Sequence, residues 1–201
     1  MNKNLITSTL LILIVFSLNA QQEVIRENDR YRNRGYFNIT QFGYIFVNEA
    51  TLETFSPEDG VTLIELPSSN AGAFGLHTIN GYFFNPYLSI GLGLGIDGYT
   101  NPTYNTIPLY IDFRGYLTDG LGSPYAFVDY GTLIKIKNGP QNGNMFNVGI
   151  GYKVPLNQSR FIIVGDLSYS YKAVSNDGEP IRTSESYVRL KGIMLSVGVM
   201  F

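Results

Sequence analysis

The stretch LSIGLGLGI, residues 88–96, alternates without a break: Leu88, Ile90, Leu92, Leu94 and Ile96 fall on one side, Ser89, Gly91, Gly93 and Gly95 on the other. Successive side chains of a β-strand point to opposite faces, so this strand has one aliphatic face and one that is nearly bare. A strand covering a soluble core would set bulky polar groups opposite its apolar ones, because the second face meets water. The remaining segments decide which face is inside.

The same period of two recurs along the chain, and past residue 34 no window holds apolar residues at helical spacing for three turns. Turn-rich pieces such as FFNPY (83–87), TDGLGSP (118–124), KNGPQNGN (137–144) and PLNQS (155–159) separate the alternating runs. They predict strands over 35–47, 71–83, 87–98, 105–117, 125–136, 145–154, 160–173 and 187–201. Connections between them are alternately longer and tight, as in an up-and-down barrel with short turns on one rim and longer loops on the other. Each strand reaches the roughly 9 to 11 residues that a tilted strand needs to cross a bilayer.

Face by face, Leu109, Ile111 and Phe113 oppose Tyr110, Asp112, Arg114 and Tyr116, while Phe146, Val148, Ile150, Tyr152 and Val154 oppose Asn147, Gly149, Gly151 and Lys153. Phe161, Ile163, Leu167, Tyr169 and Tyr171 oppose Asp166, Ser168, Ser170 and Lys172. Ala126, Val128, Tyr130, Thr132, Ile134 and Ile136 oppose Asp129, Gly131 and Lys135. Ile193, Leu195, Val197, Val199 and Phe201 oppose Gly192, Ser196 and Gly198. The first two strands leave their faces undecided. A soluble barrel of the lipocalin kind would expose the mixed faces to water, yet it does not account for Gly and Ser alternating there with charges. A narrow barrel does, because each bulky lumen residue needs a small neighbour. The aliphatic faces therefore meet lipid, and the fold expected is all-β, an eight-stranded antiparallel up-and-down transmembrane β-barrel.

On the inferred lumen face, Asp97, Asp112, Asp129 and Asp166 stand against Arg114, Lys135, Lys153 and Lys172. They predict a hydrogen-bonded charge network that plugs the lumen, since eight strands leave no wide channel. A narrow, porin-like passive pore is the alternative. Phe146 and Tyr171 near one rim, with Tyr152, Phe161 and Phe201 near the other, predict two aromatic girdles.

Residues 1–20 have Lys3, an apolar run from Leu5 to Phe16 and Ala20 before a Gln pair, and read as a secretory signal peptide cleaved after Ala20. Residues 21–34 are charged and unpatterned, a short periplasmic lead-in, and 35–201 form the barrel domain. There is no Cys, which excludes disulfides and thiolate chemistry, and closure of a barrel makes such staples unnecessary. With 15 Tyr, 13 Phe and no Trp, the composition favours sheet, and a net charge of -2 provides no basic field for nucleic acid.

The strands GLGLGIDGY and IPLYIDFRGY, the leader ending SLNAQQ and the terminal IMLSVGVMF resemble the small eight-stranded outer-membrane β-barrels of Gram-negative bacteria, of the OmpA and OmpX type. Barrels of that family end in an aromatic residue preceded by alternating apolar ones, read by the barrel-assembly machinery; Leu195, Val197, Val199 and Phe201 match that signal. The resemblance implies an integral outer-membrane protein of the cell envelope, in contact with outer-membrane lipid and lipopolysaccharide, and it implies no single activity. A monomer is expected, with a surface partner left open.

Candidate chemistry is thin. Some small barrels modify lipid A with His, Ser and a carboxylate, but the one His, His77, is followed by Thr78 and Ile79 and lacks the His-x-Ser spacing associated with the deacylase. His77 reads as a strand or girdle residue, and no enzyme activity is expected. The carboxylates of SPEDG (56–60) and SNDGEP (175–180) lack calcium-loop spacing and are explained by turn chemistry, so neither metal nor cofactor is expected. The glycosylation patterns NIT (38–40) and NQS (157–159) fall in a strand and a tight turn and are set aside. The longest connection, 48–70, contains VTLIEL and is expected to extend a hairpin beyond the membrane toward a surface partner. The role expected is thus structural or surface-interacting through the outer loops.

Overall fold

A strand with two apolar-edged neighbours is satisfied in lipid only if every backbone group finds a partner, and the long strands of this chain pair on both sides. The computed structural model describes residues 33–56, 60–68, 70–101, 103–134, 142–156, 161–175 and 186–201. The signal-peptide reading (1–20), most of the lead-in (21–32), Lys135, the NQS pattern and most of the two acidic loops lie outside the described residues.

Among the described residues ten strands follow one another: β1 (Gly35–Ser56), β2 (Gly60–Glu65), β3 (Gly72–Asn85), β4 (Leu88–Thr100), β5 (Tyr104–Thr106), β6 (Pro108–Tyr116), β7 (Ser123–Leu133), β8 (Gly143–Pro155), β9 (Ile162–Ser175) and β10 (Ser186–Met200). The sheet runs β10-β9-β8-β7-β6-β4-β3-β1, every pair antiparallel, and β10 also pairs β1 from Ile39↔Met200 to Thr54↔Ser186. That last pairing closes an eight-stranded barrel. The backbone of Asn38 exchanges both hydrogen bonds with Phe201, so the chain end itself is stitched into the seam.

The two remaining strands are rim features. β1 runs past the predicted end at 47 and folds back as β2, making a hairpin (Leu52↔Ile64, Thr54↔Thr62) whose other edge is β10. Gly60 takes the left-handed conformation at this reversal, φ +74, which a side chain disfavours. The predicted strand 105–117 is two strands: β5 turns back on the end of β4 (Tyr99↔Tyr104), and the barrel resumes at Pro108. Proline has no N–H for the ladder, so pairing with β4 is interrupted at Ile107 and Pro108 and then continues in the same register (Asp97↔Thr106, Leu94↔Leu109), while the Ile107 carbonyl accepts from Ile134 N at 2.8 Å.

The aliphatic faces point outward. Leu92, Leu94, Ile96, Ile111, Val128, Ile150, Leu167, Leu195 and Val197 are all exposed on the outer wall, whereas Asp97, Asp112, Arg114, Lys153 and Lys172 are buried inside. On β10 the outer apolar run from Phe201 to Ile193 ends at Lys191 and Arg189, which pair with Glu49 (2.8 Å) and Glu53 of β1 on the same outer face. These ion pairs mark where the apolar belt stops, and the β1–β2 hairpin continues beyond them. Tyr82, Phe84, Tyr87, Tyr152, Phe161 and Phe201 are exposed around the short-turn rim.

Size alternation governs the lumen. A Cβ on Gly81 would enter the Phe37 ring, one on Gly93 the Tyr110 ring, and one on Gly95 the His77 ring, and each of these pairs comes from neighbouring strands. Glycine on the inner face is therefore the space that a ring or charged group occupies, which is how an eight-stranded wall fills its interior. The faces of β1 and β3, undecided in the sequence, follow the rule of the other strands only in part: Phe42, Phe46, Phe74 and Leu76 are exposed outside. Phe37, Ile39, Ile45, Ile79 and Phe83 are buried in the lumen, while Asn38, Thr40, Thr78 and Asn80 lie on the outer wall.

Candidate functional site

Among the described residues, three polar clusters occupy the lumen at different heights. Nearest the long-loop rim, Asp97 of β4 receives Lys172 of β9 on Oδ2, with Thr106 Oγ1 donating to the same oxygen at 3.1 Å. His77 of β3 places Nε2 2.9 Å from Asp97 Oδ1 and Nδ1 3.1 Å from the Tyr110 hydroxyl. His77 is thus a lumen residue, buried at 2 % exposure, and not a girdle residue. A hydroxyl, an imidazole and a carboxylate stand in a row, but the row is enclosed by the barrel wall, away from lipid.

The middle cluster gathers three carboxylates about one cation. Arg114 Nε donates to both oxygens of Asp112 (3.0 and 2.9 Å), and its Nη1 lies 3.9 Å from Asp166 Oδ2. Asp166 also accepts from the Tyr125 hydroxyl and from Ser196 Oγ (3.4 Å), and Asp129, directly across from Asp112, accepts from Asn147 Nδ2 at 3.0 Å. Among the described residues no group of three or more His, Asp or Glu is placed to hold a metal ion.

Lys153 makes the third cluster alone. Among the described residues no carboxylate meets it; its ammonium donates to Asn33 Oδ1 and lies 4.5 Å from the centre of the Tyr116 ring. Aromatic rings close this end of the lumen, Phe37 on Phe83 (4.9 Å), Phe83 on Tyr116 (5.3 Å) and Tyr116 on Tyr125 (5.3 Å), while Arg114 caps the Tyr125 and Phe127 rings at 5.0 and 5.1 Å. Cations over ring faces gain from the ring quadrupole, more so when desolvated. The described charges among those singled out in the sequence thus share the lumen without joining into one network, because barrel stagger sets them at different levels.

Asn33 had no signal in the sequence, sitting in an unpatterned charged stretch. Its Nδ2 donates to Pro86 O (2.8 Å) and Thr118 O (3.3 Å), its N donates to Asp119 O (2.8 Å), and its Oδ1 takes Lys153. One side chain therefore ties two short turns and a buried ammonium across the barrel mouth. Asn33→Ala removes these side-chain bonds and uncovers Lys153, so it is expected to lower stability by about 2 kcal/mol, read as a lower urea midpoint for the folded barrel on unheated gels.

Comparison with solved structures follows this geometry. The outer membrane protein AlkL, determined by solid-state NMR in lipid bilayers, matches over 90% of this chain and 95% of its own, with a TM-score of 0.52 and 14% identity. OprG of Pseudomonas aeruginosa matches over 86% of this chain and 98% of its own (TM-score 0.49, 12% identity), and the Neisserial surface protein NspA over 83% and 97% (0.43, 17%). No protein-family model matches the chain, and no curated protein matches it in sequence. Closure through β1 and β10, an apolar outer wall and the likeness to AlkL agree: in fold, this chain is a closed eight-stranded antiparallel β-barrel, similar to a small outer-membrane barrel.

Proposed function

We propose that the chain is exported to the outer membrane and serves there as a non-conducting, non-catalytic barrel that presents the β1–β2 hairpin as a contact surface. The observation that carries this reading is the hairpin itself. It continues β1 beyond the charged end of the apolar belt, and Val61 and Leu63 on β2 are 57% and 62% exposed there. Apolar side chains held outside the lipid belt on an ordered strand favour contact with a partner. The backbone favours it too. Leu66 N bonds Ala50 O, which by antiparallel alternation leaves the peptide groups of Val61, Leu63 and Glu65 on the free edge of β2, a template for an added strand.

The filled lumen supports a non-conducting role, since Arg114, Tyr110, Lys153 and Lys172 are fully buried and the aromatic stack lies across one end. Burial of His77 against Asp97 gives it no access to a lipid substrate. Planar bilayers containing the purified barrel are expected to show no unitary current; regular conductance steps would make it a pore instead.

Protease treatment of intact cells is expected to cut within 48–70 and to spare the turns at 85–88 and 117–122. Cut turns with an intact hairpin would reverse the topology. In a deletion strain, a barrel carrying Val61→Ser and Leu63→Ser is expected to insert normally yet fail to restore surface attachment that the wild type restores. Full restoration by this variant would remove the hairpin from the role.

A further inference from the structure

β2 ends the sheet. It pairs β1 on one side and, among the described residues, no strand on the other, and every residue from Val61 to Glu65 is exposed. The peptide groups that point to the open side are those of Val61, Leu63 and Glu65. Their centre is Leu63, and an antiparallel strand laid about that centre meets them in reverse order. A second β2 supplies the matching groups: Leu63 faces Leu63 of the other copy and Val61 faces its Glu65, so each outward N–H and C=O gains a partner through a self-complementary edge. Charge agrees with this register. Glu49 and Glu53 on the outer face of the hairpin are already paired within their own copy, with Lys191 at 2.8 Å and with Arg189. Leu63 stands beside Glu53, so two copies bring together leucines flanked by neutralised pairs. The two Glu65 side chains fall on either side of the centre, about 14 Å apart along the strands. A register centred on Glu65 would set like charges opposite, which is unfavourable.

Membrane geometry fixes where the two copies stand. The hairpin continues the barrel wall, with β1 pairing β10 up to Thr54↔Ser186, and β2 runs back from Gly60 toward the barrel. Copies in one membrane share that direction, whereas antiparallel pairing requires opposite ones. We propose that β2 is a homotypic contact strand, joining two copies of this chain held in facing membranes through an antiparallel pair centred on Leu63. The proposal rests on the hairpin being a contact surface outside the membrane, and it names the partner as the same hairpin. Few hydrogen bonds join each pair, so a single pair is weak, and an array of barrels on each surface supplies the strength through multivalency.

Full-length barrel is reconstituted into two populations of phosphatidylcholine vesicles, one with a donor dye and the other with an acceptor, and tethering is read as energy transfer. With the wild type in both populations, transfer is expected to rise roughly fivefold or more over protein-free vesicles, and to stay at background when one population lacks the barrel. Leu63→Pro removes an outward N–H without touching the pairing with β1, and is expected to return transfer to background; Leu63→Ile, which keeps the N–H, tethers as the wild type does. Migration on unheated gels checks that each variant is folded. The chain has no Cys, so single cysteines report the register. Leu63→Cys, with Cα atoms about 5.5 Å apart across the centre, is expected to cross-link on oxidation, and Val61→Cys only when mixed with Glu65→Cys. Transfer with the barrel in one population alone overturns the proposal, since the hairpin would then bind lipid. So do Val61→Cys that cross-links to itself and wild-type vesicles that stay apart. If the vesicles stay apart while surface attachment still depends on Val61 and Leu63, the contact role of the hairpin stands with a foreign partner and the homotypic pairing falls.

Discussion

Asp97→Asn is expected to destabilise the barrel by about 3–5 kcal/mol, the range for removing one partner of a buried ion pair. Asp97 and Lys172 are 0% and 1% exposed, and Asp97 is the carboxylate that pairs with this lysine. The amide keeps the shape of the side chain and deletes its charge, so the ammonium remains inside the lumen uncompensated, while the His77 and Thr106 contacts are also weakened. Urea titration followed by the folded band on unheated gels gives the midpoint; tyrosine circular dichroism is the second probe, as the chain has no Trp. Replacing both partners, Asp97→Leu with Lys172→Met, is expected to recover most of the loss, because no buried charge is then left alone. A single variant with a wild-type midpoint would mean that the pair is solvated and the lumen open.

Gly131→Ala is expected to block folding almost completely. A Cβ at this inward position of β7 would meet the carbonyl oxygen of Leu109 and the Cα of Tyr110 on β6, so the obstacle is backbone in the neighbouring ladder, which no rotamer change relieves. Overpacking costs on the order of 1–3 kcal/mol where side chains can adjust, and more here. Gly165→Ala and Gly115→Ala are the matched controls. Their nearest neighbours are Ser196 O at 4.0 Å and Leu88 Cδ2 at 3.9 Å, and both positions share the outward parity of their strands. The controls are expected to give a wild-type fraction of heat-shifted protein, while Gly131→Ala gives little. Equal yields from all three would mean that the inner and outer faces have been exchanged.

These experiments probe the part of the molecule most legible in the sequence. In β4, β6, β7, β8, β9 and β10, aliphatic residues alternate with glycine, serine and charge, and a period of two converts that order directly into an outer and an inner face. The rim hairpin was legible as VTLIEL within the longest connection, although its pairing with β1 was not. Pro108 interrupts the predicted strand 105–117 for a reason present in the sequence, the missing N–H, but only the pairing with β4 shows that the ladder continues beyond it in the same register.

β1 and β3 were not legible, because both of their faces mix apolar with polar residues. Phe37, Ile39, Ile79 and Phe83 face a lumen that is aromatic and aliphatic near its mouth, and Asn38, Thr40, Thr78 and Asn80 face lipid through mutual hydrogen bonds. Only side chains on a partner strand make such polar groups tolerable outside, and partnership is a matter of register. Asn38 meets Asn80 because β1 and β3 pair Ile39 with Ile79, a choice made by the closed sheet as a whole. Asn33 is the same lesson in one residue: its bonds reach Pro86, Thr118 and Lys153, far along the chain. By itself the sequence determined the strand type, the faces of six strands and the small-against-large composition of the lumen, since all three follow from alternation along a single chain. The tertiary structure alone decided which charges meet, where His77 and Asn33 act and which wall carries the polar patch, because barrel stagger brings together residues that no local pattern links.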